Sequence, residues 1–135
     1  MDETLREDPY PFQAHLGFEI ADWREGYARV AQPVAPHLAN RHGALHGGVH
    51  ATLLDTAMGY AGCWTGDPER RQLALTLSLT VNYQGRSSGR RLTAEARRTG
   101  GGRRIFYAAG EVRDEDGVLL ASATGVFRYL DTRID

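Results

Sequence analysis

The sequence has no lysine: all sixteen of its basic residues are arginine. Arginine suits phosphate contacts, though such a bias also follows from genome composition alone. There is a single cysteine, Cys63, so no intramolecular disulfide can form, and a reducing compartment fits. No apolar run approaches the roughly 20 residues that a helix needs to cross a bilayer. The first eight residues, Met1 to Asp8, are acidic and lack the apolar stretch of a signal peptide. The formal net charge is only −1, which gives no general pull toward nucleic acid or an anionic membrane. Internal repeats, low-complexity tracts and interdomain linkers are missing too. These absences together predict a cytoplasmic protein with no membrane or nucleic-acid partner.

What remains is an ordinary globular composition, 41% hydrophobic and 24% charged. A length of 135 residues suits one domain, large enough to bury about two-thirds of its unfolded surface. Residues 1–15 read as a loose N-terminal leader with a short helical turn near Pro9 to His15, and 16–130 as the folded domain. Phe18-Glu19-Ile20 and Tyr27 to Ala31 alternate apolar and polar residues, as half-buried strands do, with a turn at Arg24-Glu25-Gly26. An irregular loop with Pro33 and Pro36 follows.

The segment from Gly47 to Trp64 is different. It contains no proline, its only Asp, Glu, Lys or Arg is Asp55, and apolar residues fall on every side of a helical projection. It is expected to be a long, largely enclosed helix, ended by Gly66-Asp67-Pro68. Four strand-like segments come after it, near 73–83, 91–99, 103–113 and 118–129. They are separated by turn signals at 85–89, 100–102 and 114–117. Alternation is clearest in Leu75-Thr76-Leu77-Ser78-Leu79-Thr80-Val81. Long strands with short connections imply an antiparallel sheet, and one buried helix among them implies an α+β fold with the sheet curled around the helix.

The chemistry concentrates in Asn40-Arg41-His42-Gly43-Ala44-Leu45-His46-Gly47-Gly48 and the helix behind it. Paired glycines are poor inside a helix but sensible at its start, where they let another group approach bare backbone. The first N–H groups of a helix lack internal partners and carry the positive end of its dipole. Gly47 and Gly48 can thus offer donors to a carbonyl oxygen as it becomes negative. At 100° per residue Asp55 shares a face with Gly48, Ala51, Thr52, Gly59 and Gly62, small residues that leave space around its carboxylate. A charge in an enclosed helix is costly and marks either a buried hydrogen-bond acceptor or a functional site. Eight residues separate Gly47 from Asp55, about 12 Å of helical rise. If both act on one substrate, they should come from two subunits.

His42, His46 and His50 recur every four residues like a metal-binding face. Gly43, Gly47 and Gly48 interrupt the continuous helix such a face requires, so no metal is expected. Cys63, on an apolar helix, is a poor candidate nucleophile.

The run Asn40…Leu45-His46-Gly47-Gly48…Leu53-Leu54-Asp55-Thr56-Ala57 resembles the acyl-CoA thioesterases of the phenylacetate-degradation (PaaI-like) branch of the hot-dog superfamily. Thr76 to Tyr83 resembles the strand of that family after the helix, Gly102-Arg103 and Asp116 to Ala121 resemble its last hairpins, and the likeness spans about residues 16–130. It implies a hot-dog fold, a curved antiparallel sheet around one central helix, assembled as a homodimer or homotetramer. It also implies that Asp55 is the catalytic carboxylate, that Gly47 supplies the oxyanion N–H and that His46 steadies that loop or the thioester. Asn40 would lie at the polar end of the site, and Thr76 would help place water. The loop Gln84-Gly85-Arg86 departs from the family, which usually carries a proline shortly after the aromatic residue.

The expected reaction is hydrolysis of an acyl-CoA thioester, with Asp55 as general base or as nucleophile. Coenzyme A belongs to the substrate, and no cofactor is expected. Gly48, Leu54, Met58 and Tyr60 are the candidate substrate contacts, and Arg86 and Arg103 the leading candidates for the phosphates of coenzyme A. A non-catalytic acyl-CoA binding or sensing protein of the same fold is the alternative, although Asp55 speaks for catalysis. Hot-dog dehydratases are disfavoured, because no His-Phe-Pro-type motif is present.

Overall fold

The computed structural model describes residues 1–86 and 89–131. Six strands form one antiparallel sheet: β1 (Glu19–Arg24), β2 (Tyr27–Pro33), β3 (Ala74–Tyr83), β4 (Arg91–Gly101), β5 (Ile105–Asp114) and β6 (Leu119–Tyr129). Their order across the sheet is β1-β2-β4-β5-β6-β3, so β1 and β3 are the edges. A short helix, α1 (Pro11–Leu16), precedes the sheet, and the long helix α2 (Gly47–Cys63) packs against its inner face. This is the α+β hot-dog arrangement that the resemblance implies. The turn expected at 85–89 includes residues 87 and 88, which lie outside the described residues.

The β1–β2 turn works because Gly26 adopts φ +67, a left-handed conformation that glycine takes without a Cβ penalty. The inner face of the sheet is rich in small residues: Ala28, Ala94, Ala96, Ala108, Ala121 and Ala123 are all buried. They let the sheet close around Leu53, Leu54, Ala57, Met58 and Ala61 of α2, with Phe106 and Phe127 stacked beside them at 4.8 Å. The closest approach is at Gly62, where an added Cβ would stand 2.1 Å from the Phe106 ring. Gly62 therefore serves helix–sheet packing and does not open space around Asp55.

Two expectations change in the fold. The leader is not loose: Leu5 is buried and the Arg6 guanidinium donates to the Ile20 carbonyl at 3.0 Å, which ties the segment to β1. Nor is α2 enclosed all round. One stripe, with Ala51, Thr52, Asp55, Thr56, Gly59 and Tyr60, is only half-buried, and Gly48 at its head is exposed.

Candidate active site

Asp55 sits in the middle of α2 on that half-open stripe, and β3 runs beside it. The Thr76 hydroxyl donates to Asp55 Oδ1 at 2.7 Å. This contact depends on an irregularity in β3. Thr76 pairs with Phe127 and Ser78 with the adjacent Val126, so Leu77 is an extra residue, a β-bulge. Strict alternation would put Leu75, Leu77, Leu79 and Val81 on one face and Thr76 on the other. Instead Leu79 and Val81 pack toward the helix, while Leu75 and Leu77 are exposed. Upstream of the bulge the parity is reversed, and Thr76 faces inward with its buried partner Phe127.

The start of α2 is held from two sides. His46 is the N-cap, and its Nδ1 accepts from the Gly48 N–H at 2.8 Å. Across that same peptide unit the Gly47 carbonyl accepts from the Tyr83 hydroxyl. The Gly47 N–H finds no acceptor among the described residues, as expected for the first residue of a helix. His50 lies one turn further on, buried, its ring against Tyr83 at 5.5 Å and its Nδ1 without a hydrogen-bond partner among the described residues. Burial pushes its imidazole pKa below the ordinary value. Tyr83 was missed as a site residue, because an aromatic at the end of a strand carries no sequence signal of what its hydroxyl meets.

Asn40 shapes the preceding loop. Its Oδ1 accepts from the His42 and Ala44 N–H groups at 2.8 and 3.1 Å, an Asx-type turn. His42 lies in this loop, His46 caps the helix and His50 is buried. Among the described residues no group of three or more His, Cys, Asp or Glu could hold a metal ion.

A cavity of about 270 Å³ opens beside Asp55 and Thr76. Tyr60 lines it, with Tyr10, Trp23 and Phe127 forming the other aromatic walls. Leu54 and Met58 do not line it. Four residues apart on α2, both are fully buried in the core, where Leu54 would touch a Cβ placed at Gly110 and Met58 one placed at Gly125. They face the sheet, away from the stripe that carries Asp55. Cys63 borders the cavity, but burial pushes its thiol up to about 12, so no thiolate forms near neutrality. Burial likewise raises the Tyr60 phenol far above its usual range, which keeps it neutral.

Arg86 and Arg103 are exposed and lie at opposite ends of the molecule. Arg86 follows Tyr83, which contacts the start of α2. Arg103 adjoins Arg104, whose carbonyl accepts from the Tyr129 N–H, and the Tyr129 hydroxyl donates to Gly62 at the far end of α2. Within one chain they do not converge.

Comparison with known proteins gives a consistent set of likenesses. A family profile described as thioesterase superfamily matches residues 42–121. The medium/long-chain acyl-CoA thioesterase YigI of Salmonella typhimurium is 29% identical over 130 residues, covering 87% of this chain and 84% of that protein. The solved structure of a conserved protein from Pseudomonas aeruginosa superimposes with a TM-score of 0.81 at 29% identity, covering 96% of this chain and 98% of the other. A variant of the phenylacetic acid degradation protein PaaI from Thermus thermophilus does so with a TM-score of 0.76 at 30% identity, covering 90% and 100%.

Proposed function

The chain belongs to the thioesterase superfamily, and on that premise we propose that it hydrolyses acyl-coenzyme A thioesters with Asp55 as the reacting carboxylate. The observation that carries this reading is the Thr76–Asp55 hydrogen bond at a cavity whose walls include Tyr10, Trp23, Tyr60 and Phe127. It occupies Oδ1 and leaves Oδ2 for chemistry. As general base, Oδ2 takes a proton from water while the water oxygen attacks the thioester carbonyl. As nucleophile, Oδ2 attacks the carbonyl itself, and water then hydrolyses the mixed anhydride. In both routes the C–S bond breaks, the coenzyme A thiolate departs and takes a proton, and the free acid remains. A thiol is a good leaving group, its pKa being about 8–9, so little acid assistance is needed. The chemistry uses no cofactor.

The Gly47 N–H supplies the oxyanion contact. Its helix places it about 12 Å of axial rise from Asp55 of the same chain, so the working pair comes from two subunits. The half-open face of α2 and the exposed Leu75 and Leu77 of the edge strand β3 support association there. Arg86 and Arg103, at opposite ends of one chain, would reach one coenzyme A only from different subunits. Thiol release from a panel of aryl and aliphatic acyl-CoAs tests the activity. No turnover of any member, by a folded protein, would refute it.

A further inference from the structure

The cavity beside Asp55 shares walls with two more, of about 90 and 200 Å³. Glu7 and Trp23 line all three, and Arg71 lines the first and the 90 Å³ cavity. Cys63 and Gln72 also belong to the wall shared with the 90 Å³ cavity, and Tyr60 to the wall shared with the 200 Å³ cavity. The Trp23 indole is held by its Nε1–H, which donates to the Tyr60 carbonyl at 2.7 Å, and by an edge-on contact with the Tyr60 ring at 4.9 Å. Beside it the Glu7 carboxylate pairs with the Arg71 guanidinium at 3.0 Å. Glu7 is fixed from the leader side, since Leu5 is buried and Arg6 is bonded to Ile20.

We infer that Trp23 and the Glu7–Arg71 pair form the length stop of the acyl pocket, so that the N-terminal leader sets which acyl groups the enzyme takes. The inference rests on the thioesterase reading given above. An acyl group whose carbonyl lies at Asp55 and Thr76 extends along Tyr60 and Phe127 toward this boundary. A cavity of about 150 Å³ holds one benzene ring. The 270 Å³ available therefore suits a single aromatic ring on a short tether, or a straight chain of about eight carbons. A longer chain would have to press its methylenes against a charged pair and strip it of water, which is unfavourable. If the boundary is weakened, the cavities behind it become usable length.

The test is kcat/KM for straight-chain acyl-CoAs from butanoyl to hexadecanoyl, with phenylacetyl-CoA included. Three variants are compared with the wild type. Glu7→Ala and Trp23→Leu open the boundary. Gly59→Leu fills the cavity from the helix side, where an added Cβ meets only Phe127 at 3.8 Å and has room. The wild type should lose about 10-fold or more in kcat/KM once the chain outgrows the first cavity, the scale of one misfit methylene in an apolar pocket. The opening variants should move that fall to longer chains, and Gly59→Leu should move it to shorter ones. If Trp23→Leu fails to fold, Glu7→Ala and Gly59→Leu still push in opposite directions. Folded, active variants whose fall-off stays at the wild-type length would overturn the length stop and leave the thioesterase reading intact. A wild type that cleaves every length equally would overturn it too. A wild type that cleaves none would remove the thioesterase reading itself.

Discussion

Asp55→Asn keeps the size of the side chain and removes both base and nucleophile. A loss of at least about 100-fold in kcat is expected, with the fold intact, and steady-state thiol release measures it. Thr76→Val removes the hydroxyl bonded to Oδ1. A hydrogen bond to a charged group contributes about 1.5–3 kcal/mol, so a loss of roughly 10- to 100-fold is expected. Tyr83→Phe releases the Gly47 carbonyl and should lower kcat by about 5-fold while KM hardly moves, the signature of a positioning residue. His50 is probed by stability. Its pKa is depressed in the folded chain by burial, while the unfolded chain takes up a proton near pH 6.5. The folded state thus binds fewer protons below that pH. The stability associated with neutral His50 is complete above about pH 6.5 and is lost as pH falls through the lowered folded value. The melting temperature should drop between pH 7 and pH 5.5, and less steeply in His50→Gln; equal slopes in the two proteins would contradict this.

The elements were legible in the sequence where one period ruled a whole segment. Gly47 to Cys63 is a helix because it lacks helix breakers beyond its glycines; it ends at Trp64, whose backbone is extended, two residues before Gly66 turns at φ +72. The strands of the second half were equally plain, within two residues at each end. The sequence did not reveal the bulge at Leu77, since an extra residue in one strand is visible only against the register of its neighbour. For that reason the apolar run Leu75-Leu77-Leu79-Val81 reads as one buried face, while Thr76 faces Asp55. Leu54 and Met58 mislead for a similar reason. They stand one residue before and three residues after Asp55, about 100° and 60° from it on the same side of the helix, and the fold assigns that side to the core. The packing at Gly62 was also hidden, because its cause is Phe106, forty-four residues further on. Gly62→Ala should destabilise the protein by at least about 1–3 kcal/mol, the usual cost of overpacking, even though alanine is the better helix former. Denaturant melts measure it, and a neutral result would mean that Phe106 can swing aside.

At the scale of the whole molecule the question is which chains build one site. The Gly47 N–H and Asp55 belong to one rigid helix, so no rearrangement within a chain can bring them to the same thioester. Light scattering should accordingly find no active monomer. Complementation tests the arrangement more directly. Gly47 is the first residue of α2, where proline is tolerated. His46 before it is extended, at φ −66 and ψ 132, as a residue preceding proline prefers. Gly47→Pro therefore deletes the proposed N–H donor with little demand on the backbone. Its added carbon would meet the Tyr83 ring at 3.2 Å, a contact that Gly47→Ala shares while keeping the N–H. Gly47→Ala should therefore stay far more active than Gly47→Pro. When Gly47→Pro and Asp55→Asn chains are co-expressed, each mixed dimer has one site with both defects and one with neither. Random pairing makes half of the dimers mixed, so activity should recover to about a quarter of the wild-type value from two inactive parents. Verified mixed dimers that remain as inactive as the parents would place both groups in one chain's site and end the two-subunit account, whatever Asp55→Asn alone had shown.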